Sequence, residues 1–553
     1  MTISKKKFER DDTAADRLES WKEIAAYLKR GVRTVVRWEK EEGLPVHRHV
    51  HHKLGSIYAL RSEVDAWRDG RREQARQSVA TARRVSGMAA GRVLIAILPF
   101  ENLSGVPAQM YLADGLTEEM ISELGRVSPA TLGVIARTTV MQYRGSKKRR
   151  SVQRIAEELN VDYVLEGSVR SEGERVRVTT QLIDGRDQTH LWAGSYDQPM
   201  RSILSLQREL AVDIAQQIRL QLSPGLQAAP VDQRSVNPDA YVAHLKGRHL
   251  LKAFTPRSVR RSVEYFKQSI EADPAFAPGY ASLAEAYVQL PVWIDVPTVH
   301  NLPLALRAAE QALARDPNLP EAHVSLGLVY GNYLWDWPAA ERHYRRALEL
   351  NPSSSSARQW YAELLAEMGR IDDALEVLER ARTDDPLSPA ILATKAFVFL
   401  LGRRFDNAID ESRLALEIHP GYAMALIRLA LAYHGKGMSA QAVRTMRKAA
   451  RAAPGLLDCA SLLGYMLARA GNTDDALKQL EMLRRVARRR YVPAFLFANV
   501  YIGLGDHEKT VRMIEKEYDA KGWYMLLLKQ SPLYDPVRSH PRFQALLSEM
   551  NFP

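Results

Sequence analysis

The chain has 553 residues, a net charge of +12 and a single cysteine. Its length excludes a single hydrophobic core and predicts about three domains, and one cysteine excludes an internal disulfide and favours a reducing compartment. MTISKKKFERDDTAAD at the N-terminus lacks the apolar core of a signal peptide, and the longest apolar run, at residues 93–100, is far shorter than the roughly 20 residues of a membrane span. We therefore expect a cytoplasmic protein with no membrane contact.

The positive charge is uneven along the chain. Residues 1–90 hold 20 Lys or Arg against 13 Asp or Glu, residues 91–220 hold 16 of each, and the remainder holds 41 against 36. A positive excess at one end is what docking to nucleic-acid phosphates requires.

The first predicted elements are two short helices joined by a tight turn. In SWKEIAAYLKRG, Ser20 and Glu23 have the spacing of a capping box, apolar residues follow at helical spacing, and Gly31 can take the turn. A second helix is predicted over about 32–42, where Arg33, Arg37 and Lys40 would form a basic outer face. Two such helices predict a helix-turn-helix.

The next elements add a wing. Residues 46–58 predict a hairpin, and RSEVDAW from Arg61 predicts another short helix. Through SWKEIAAYL, RTVVRWE, GLPVHRH and SEVDAW, residues 18–68 resemble the MerR-like or excisionase-like winged helix-turn-helix family. The resemblance implies that the second helix enters the major groove, that the wing touches the backbone, and that the reader is a homodimer. Carried over by position, the base-facing residues would be Arg33, Thr34 and Arg37, and the phosphate contacts would be Lys40, Arg48 and Lys53. The alternative is a protein-docking domain with a solvated basic face.

Four histidines lie together in the predicted wing, at His47, His49, His51 and His52. Alternate residues on a strand share a face, which raises the alternative of a metal site. No Cys or paired carboxylate lies nearby with ligand spacing. We therefore expect no metal and no cofactor, and we interpret the histidines as exposed residues near phosphate.

Residues 69–91 are rich in Arg, Gln and Ala and are expected to be a linker. Residues 92–222 then predict an α/β domain. VLIAILPF and TLGVIA are predicted to be buried strands. Three later strands, at 163–169, 176–183 and 190–196, are predicted to form an antiparallel meander. Helices are predicted at 116–124, 152–159 and 203–222.

This middle segment is similar to the amino-terminal domain of TolB and to FlgO-like domains, through LPFENLSG, YLADGLTEEM, VIARTTVMQY, DYVLEGSVR and HLWAGSYD. The resemblance implies a fold but no agreed chemistry, and no phosphate-binding Gly loop, nucleophile elbow or zinc spacing is present. Glu118, Glu119 and Glu123 have the spacing of a solvated helix face. The basic loop 144–150 is interpreted as solvated, with a second DNA-backbone contact as the alternative. We expect no enzymatic activity.

The central part of the segment from 236 to 520 repeats with a period of 34, with alanines at Ala340, Ala374, Ala408, Ala442 and Ala476, and earlier units follow at longer steps. This period is typical of the tetratricopeptide repeat (TPR), in which each unit is a pair of antiparallel helices and the units stack into a solenoid. Small residues let the paired helices approach, and Pro opens the next helix. Seven to eight repeats are predicted, followed by a capping segment at 521–553.

A stacked array presents a concave groove lined by the first helix of each repeat. We expect this groove to bind a protein or peptide partner. The predicted lining residues are Gln359, Glu363, Phe397, Ile427, Leu431, His434 and Tyr465, and ordinary packing between repeats is the alternative for each. The run 484–490, RRVARRR, is interpreted as the exposed end of a repeat helix, with nucleic-acid binding as the alternative.

The sequence thus predicts a multidomain protein: a small winged helix-turn-helix, an α/β middle domain with a mixed sheet, and a C-terminal all-α TPR solenoid. The expected function is that of a bacterial transcription regulator that binds double-stranded DNA through its N-terminal domain and a protein partner through its repeats. The alternative is a non-enzymatic TPR scaffold in a signalling complex. An α/β middle domain followed by repeats resembles the domains that accompany nucleotide cyclases and Ser/Thr kinases in some bacterial proteins. Such a scaffold would serve a cyclase or a kinase that is a separate protein.

Overall fold

The chain divides into two compact units, Met1–Gly91 and Arg92–Pro553, each with its own hydrophobic core. The computed structural model describes residues 16–28, 35–36, 39, 43–48, 57–67, 93–105, 109–127, 132–144, 151–222, 236–252, 255–294 and 296–553. Within these residues, no helix is both long enough and apolar enough to cross a membrane.

The first unit, which we call the head, contains a small antiparallel sheet and short helices. Strands β1 (Arg17–Leu18), β2 (His47–Arg48) and β3 (Ile57–Leu60) lie in the order β1-β3-β2. Helix α1 spans Trp21–Tyr27, and helix α2 spans 61–67. Strand β1 carries no signal in the sequence, because two residues are too few to show strand periodicity. Most of the predicted second helix and the hairpin tip lie outside the described residues.

The head closes around a few apolar side chains. Helix α1 begins at Ser20, whose hydroxyl accepts the backbone N–H of Glu23 at 3.2 Å, while the Glu23 carboxylate accepts the backbone N–H of Glu19 at 2.8 Å. This cap fixes the helix so that Ile24 and Ala25 point inward. The buried core residues are Leu18, Ile24, Ala25, Val35, Leu44, Ala59 and Val64.

The second unit begins with a mixed six-stranded sheet. Its strands are β4 (Val93–Ile97), β5 (Glu101–Asn102), β6 (Leu132–Val134), β7 (Tyr163–Glu172), β8 (Arg175–Asp184) and β9 (His190–Pro199). The order is β6-β4-β7-β8-β9, with β5 also paired to β7. Strand β4 pairs in parallel with β6 and β7, whereas β7, β8 and β9 form the predicted antiparallel meander.

Helices cover both faces of this sheet, which is why β4 is buried along its whole length. Val93, Ile95 and Ile97 face helices α3 (Met110–Val127) and α6 (Ile203–Leu222), while Leu94 and Ala96 face the opposite layer. That opposite layer is formed by α4 (Arg137–Val140) and α5 (Val152–Leu159), and short 3₁₀ turns follow at Met141–Tyr143 and Met200–Ser202.

The remainder of the described chain is a helical solenoid, and its described residues form eight antiparallel helix pairs, repeats one to eight. Each pair packs against its neighbours. The pairs are α7 (Pro238–Leu251) with α8 (Pro256–Ala272), α9 (Ala277–Ile294) with α10 (Thr298–Arg315), α11 (Pro320–Val329) with α12 (Trp337–Leu350), α13 (Ser355–Glu367) with α14 (Ile371–Asp384), α15 (Pro389–Leu401) with α16 (Phe405–Ile418), α17 (Ala423–Gly435) with α18 (Ser439–Ala452), α19 (Leu457–Arg469) with α20 (Thr473–Ala487), and α21 (Ala494–Gly503) with α22 (His507–Asp519).

The turns between the two helices of a repeat explain why glycines recur in the 34-residue period. Gly369, Gly437 and Gly471 have φ values of +91°, +74° and +81°, a left-handed conformation that glycine adopts without steric cost. In repeat five the equivalent residue is Arg403, which takes φ +57° despite its side chain. The small alanines of the 34-residue register are buried between the paired helices.

After repeat eight, residues 521–553 form the C-terminal segment. It contains 3₁₀ turns at Trp523–Leu527 and Pro532–Val537 and a last helix, α23 (Pro541–Glu549). Its apolar side chains belong to the main core of the solenoid; those that are almost completely buried are Met525, Leu526, Leu528, Tyr534, Val537, Phe543 and Met550. The segment is therefore an integral part of the array.

Candidate functional site

One of the six predicted DNA contacts lies within the described residues. Arg48 is exposed on β2, and its Nη2 lies 2.7 Å from Oε1 of Glu39. The Arg48 side chain is exposed, whereas that of Glu39 is mostly buried, so the guanidinium remains accessible from solvent while it is paired. Arg33, Thr34, Arg37, Lys40 and Lys53 lie outside the described residues.

Aromatic and charged side chains are layered on the head sheet beside Arg48. The guanidinium of Arg17 lies 3.7 Å from the centre of the Tyr58 ring, and His47 stacks on the same ring at 5.0 Å. His47 Nε2 lies 2.6 Å from a carboxylate oxygen of Glu63. His47 is therefore held by a carboxylate and a ring in this structure; the other three wing histidines lie outside the described residues.

The acidic face of α3 was predicted wrongly, because it is not solvated. Glu118 pairs with Arg248 on α7 and with Lys252 directly after it, and Arg137 Nε lies 3.8 Å from one of its carboxylate oxygens. Burial lowers the pKa of Lys252 to about 8 and that of Arg137 to about 10. The three cations surround Glu118 because α3 docks on the first helix of the repeats, a long-range contact that helical spacing alone does not reveal.

The same docking continues along the array. Thr139 Oγ1 donates to a carboxylate oxygen of Asp385 at 2.6 Å, the backbone N–H of Leu387 donates to Thr139 Oγ1 at 3.1 Å, and the backbone N–H of Ala136 donates to the carbonyl of Asp384 at 2.7 Å. We call these contacts the Thr139–Asp385 latch. Burial raises the pKa of Asp385 to about 6. The middle domain and the repeats are thus joined at α7 and at the latch. Further hydrogen bonds join them as well, from Ser122 Oγ to Glu321 and from the backbone N–H of Val134 to Ser353 Oγ, each at 3.4 Å.

All seven predicted groove residues lie on the first helices of repeats four to seven, as the 34-residue register predicts. Glu363 Oε1 accepts hydrogen bonds from Gln359 at 3.4 Å and from Thr394 at 3.1 Å. His434 Nε2 lies 2.9 Å from the hydroxyl of Tyr465. The more apolar members are buried or partly buried in packing: Phe397, Ile427 and Leu431. The set is therefore a mixture of packing residues and polar lining.

The C-terminal segment covers this lining. Trp523 shares a small cavity with Trp360, Glu363 and Glu367, and the two indole rings meet edge to face at 6.3 Å. Tyr524 stacks on Phe495 at 4.8 Å and hydrogen-bonds Asp458. The first helices of repeats four, seven and eight are therefore bridged by two consecutive aromatic residues of the chain itself.

Further contacts of the C-terminal segment reach earlier repeats. The Arg403 guanidinium forms a two-pronged pair with Asp535, at 2.7 and 2.8 Å. The Trp337 indole N–H donates to the carbonyl of Met550 at 3.1 Å. The sequence predicts a capping segment here but not its position in the groove. Its aromatic residues lie outside the repeats, so the 34-residue period does not indicate where they pack.

The electrostatics of the covered lining are acidic. Burial raises the pKa of Glu363 and of Asp458, and burial together with the neighbouring Glu363 carboxylate raises the pKa of Glu367 well above its usual value. Arg428, whose guanidinium lies 4.2 Å from the centre of the Phe397 ring, is the cation that faces these carboxylates, and burial lowers its pKa. This lining suits an occupant that brings aromatic rings and hydrogen-bond donors, as residues 523–524 do.

Comparison with protein families assigns two parts of the chain. Residues 91–212 match the second domain of HilA/YgeH-like transcriptional regulators, and residues 336–396 match the tetratricopeptide repeat. The middle domain is thus similar to a transcription-regulator domain, and the solenoid consists of TPR repeats. Neither match includes the head.

Two curated relatives each match about half of the chain. A Rhizobium meliloti protein that is named as a candidate adenylate cyclase, number 3, is 34% identical to this chain. The match covers 48% of this chain and 45% of that protein. The transcriptional regulator HilA of Salmonella typhimurium is 23% identical over 58% of this chain and 56% of its own. The chain spans about half the length of these relatives.

Among solved structures, human IFIT1 in complex with m7Gppp-AAAA matches 57% of this chain and 78% of its own, at 17% identity and a TM-score of 0.40. A score at this level carries no argument about function.

Proposed function

We propose that this protein is a cytoplasmic transcription regulator whose head binds double-stranded DNA and whose TPR array binds a protein partner. The observation that carries the proposal is the match of residues 91–212 to a HilA/YgeH-like regulator domain, on the same chain as TPR repeats and with similarity to HilA over 58% of the chain. No enzymatic activity is proposed, because the middle domain's most perturbed charged groups are used in docking to the repeats.

Two features support DNA binding by the head. Residues 1–90 carry the positive excess, 20 Lys or Arg against 13 Asp or Glu, and phosphate contacts by Lys and Arg supply most of the affinity of such readers. The described part of the head presents Arg48 on a two-stranded antiparallel pair, the place that the resemblance to winged helix-turn-helix domains gives to a wing. Arg33, Thr34 and Arg37 are the proposed base contacts, and Lys40, Arg48 and Lys53 the proposed phosphate contacts. A single small reader makes few base contacts, so we propose that it acts as a homodimer.

The TPR groove is the proposed partner site. The proposed lining is Gln359, Glu363, His434 and Tyr465. A partner segment that reaches Glu363 must compete with Trp523, which shares a cavity with that residue in the structure. The proposed partner therefore resembles the C-terminal segment, with aromatic side chains and hydrogen-bond donors that meet Glu363 and Asp458.

The second candidate function is a scaffold for a separate enzyme. The similarity to the Rhizobium meliloti protein named for adenylate cyclase favours it, because that match covers 48% of this chain at 34% identity. In this alternative the head is a docking domain and DNA is not bound. The two candidates differ in one property that is easily measured, the affinity for DNA.

The test is equilibrium binding of the full chain to its own upstream DNA, beside an Arg33→Ala, Arg37→Ala variant. We expect the variant to lose at least tenfold in affinity, since each good Arg–base pairing is worth about 1–3 kcal/mol. An Arg257→Ala, Arg260→Ala variant is the matched control, because both residues are exposed on α8 and the loss of charge is the same. Equal loss in both variants, or no binding by the parent chain, would reject the regulator and favour the scaffold.

A further inference from the structure

The second helices of repeats six and seven, α18 and α20, carry a dense positive charge. Residues 439–490 hold 11 Lys or Arg against 4 Asp or Glu. Every residue of this stretch is described, and Arg469, at the end of α19, is one of its exposed cations. The exposed cations on α18, on α20 and directly after α20, which we call the basic face, are Arg444, Arg447, Lys448, Arg451, Lys478, Arg484, Arg485, Arg488, Arg489 and Arg490. Asp474 is the one fully exposed carboxylate in the same stretch.

The repeat period places these cations on one side of the array. Arg444 and Lys478 are 34 residues apart and so occupy the same position in successive repeats, as do Arg451 and Arg485. Arg447 Nη2 lies 4.0 Å from Oδ2 of Asp475, which shows that the two helices are neighbours. The inward faces of both helices are taken by buried residues of the core: Ala442, Met446 and Ala449 on α18, and Ala476, Leu480 and Leu483 on α20.

Few of these charges are used inside the protein. Asp475 pairs with Arg447 and Lys478, and Glu481 lies 3.8 Å from both Arg484 and Arg488. Within the described part of the chain, five members of the basic face form no ion pair: Arg444, Lys448, Arg451, Arg485 and Arg489. A charge density of this kind costs self-repulsion in the folded protein unless an anion offsets it.

Helix stabilisation accounts for only part of the pattern. Cations in the last turn of a helix interact favourably with its dipole, and this covers Arg451 on α18 and Arg484 and Arg485 on α20. It does not cover Arg444 and Lys448, which lie in the middle of α18. Nor does it explain Arg489, which follows the end of α20.

The composition of the surface distinguishes a nucleic-acid partner from a protein partner. Protein interfaces are centred on buried aromatic and apolar anchors. Across residues 439–490, all of which are described, no aromatic side chain is exposed, and the exposed large apolar side chain is Leu477. A surface made of Arg and Lys with almost no apolar anchor is instead typical of contact with phosphates.

We propose that the basic face of repeats six and seven binds the phosphate backbone of double-stranded DNA, as a second contact that is independent of base sequence. The choice of DNA rests on the proposed function, but the contact does not require the head to bind. Arg444 and Arg451 are about 10 Å apart along α18, so the face spans several phosphates of a duplex. The contact adds affinity and orients the array beside the DNA that the head reads.

The experiment uses the full chain with Arg33→Ala, Arg37→Ala, Lys40→Ala, Arg48→Ala and Lys53→Ala, so that every charged DNA contact proposed for the head is removed from the measurement. A labelled duplex of scrambled sequence is titrated over a salt series against this parent and against a further variant with Glu at positions 444, 448, 451, 485 and 489. We expect the parent to bind with a Kd of about 10⁻⁴–10⁻⁶ M near physiological salt, and the charge-reversed variant to bind at least tenfold more weakly. The slope of log affinity against log salt should fall by about 3–5, because each phosphate contact contributes about 0.9.

The matched control reverses five other exposed cations that form no ion pair in the described residues: Arg257, Arg260, Lys267, Arg307 and Arg342. This control has the same net charge as the test variant. If both variants lose the same affinity and the same salt dependence, the effect comes from net charge alone and the proposal is overturned. Binding of a poly-glutamate chain that depends on the basic face, without binding of the duplex, would also overturn it and assign the face to an acidic protein. Failure of the head to bind DNA leaves this measurement unaffected, because the head is already disabled in both arms.

Discussion

At the scale of single residues, Arg403 shows how one ion pair can hold an unfavourable backbone. The 34-residue register gives this position to glycine in the repeats that contain Gly369, Gly437 and Gly471, yet repeat five has an arginine with φ +57°. A left-handed conformation costs a non-glycine residue about 1–2 kcal/mol. The pair between Arg403 and Asp535 offsets part of this cost and also attaches the C-terminal segment to repeat five.

Replacing Arg403 by Gly and by Ala separates the two effects. Both variants lose the pair with Asp535, but only the alanine keeps the strained backbone, so we expect Arg403→Gly to be more stable than Arg403→Ala by about 1 kcal/mol. The free energy of unfolding from urea denaturation is the measurement. At Arg380, which is exposed within helix α14, the same two substitutions should give the opposite order, because glycine costs about 1 kcal/mol relative to alanine inside a helix. The same order at both positions would contradict this account.

At the scale of elements, the middle domain and the repeats form one unit because several polar contacts cross between them. Helix α3 docks on α7 through Glu118, and the latch joins Thr139 to Asp385. Tyr241 of α7 lies in the core of the middle domain, where its hydroxyl accepts a hydrogen bond from Gln207. The regulator-like domain therefore cannot move independently of repeat one, and a change in the array would be transmitted to it directly.

The latch should make stability depend on pH. Burial raises the pKa of Asp385 from 3.8 to about 6 in the folded protein, so the folded state holds the proton more tightly than the unfolded state. The contribution of this group to stability is fully present below pH 3.8 and is lost as pH rises through about 6. We expect Asp385→Asn to flatten this part of the pH dependence, so that the difference in Tm between variant and parent shifts in the variant's favour from about pH 4 to about pH 7.

The control for the latch is Asp474→Asn, because Asp474 is exposed on α20. Its difference in Tm from the parent should stay constant over the same pH range. A constant difference for Asp385→Asn as well would show that the carboxylate at the latch is already ionised at the acidic end of that range.

Local patterns predicted the elements well, and long-range packing explains what they missed. The alternation in β8 and the 34-residue register each follow from side chains that face one buried surface, and both are visible over a few residues of sequence. The prediction of a solvated face failed for Glu118 and Glu119 because their partners Arg248 and His244 lie more than a hundred residues away in the sequence. The position of Trp523 in the groove could not be predicted, because a single aromatic residue outside the repeats has no equivalent position in them.

At the scale of the whole molecule, the array carries its own groove occupant. The C-terminal segment bridges repeats three to eight, with Met550 at Trp337, Asp535 at Arg403 and Tyr524 at Phe495. Its burial makes it part of the folded solenoid, so any partner that uses the same lining must offset the loss of this packing. The proposed partner site is thus available only to segments that bind better than residues 521–553 do.

Gly522 offers a way to loosen that segment. A Cβ at this position would overlap the carboxylate of Glu517, which is buried and accepts the backbone N–H of Phe495 at 3.1 Å. We expect Gly522→Ala to lower the free energy of unfolding by about 1–3 kcal/mol, as overpacking does, and to increase binding of a hydrophobic dye as the groove is uncovered. Gly455→Ala is the matched control, since Gly455 is exposed and has open space around it; similar behaviour of the two variants would contradict the account.

The central claim is that this chain reads DNA sequence, and the ratio of its affinities for two duplexes tests it most directly. The full chain should be titrated with its own upstream DNA and with a scrambled duplex of the same length and composition, over a salt series that includes about 150 mM. The account predicts an upstream affinity at least about 10³-fold higher than the scrambled one, with both falling steeply as salt rises. Equal affinities for the two duplexes, or binding that salt does not weaken, would contradict it and leave the TPR array as the working surface of a scaffold.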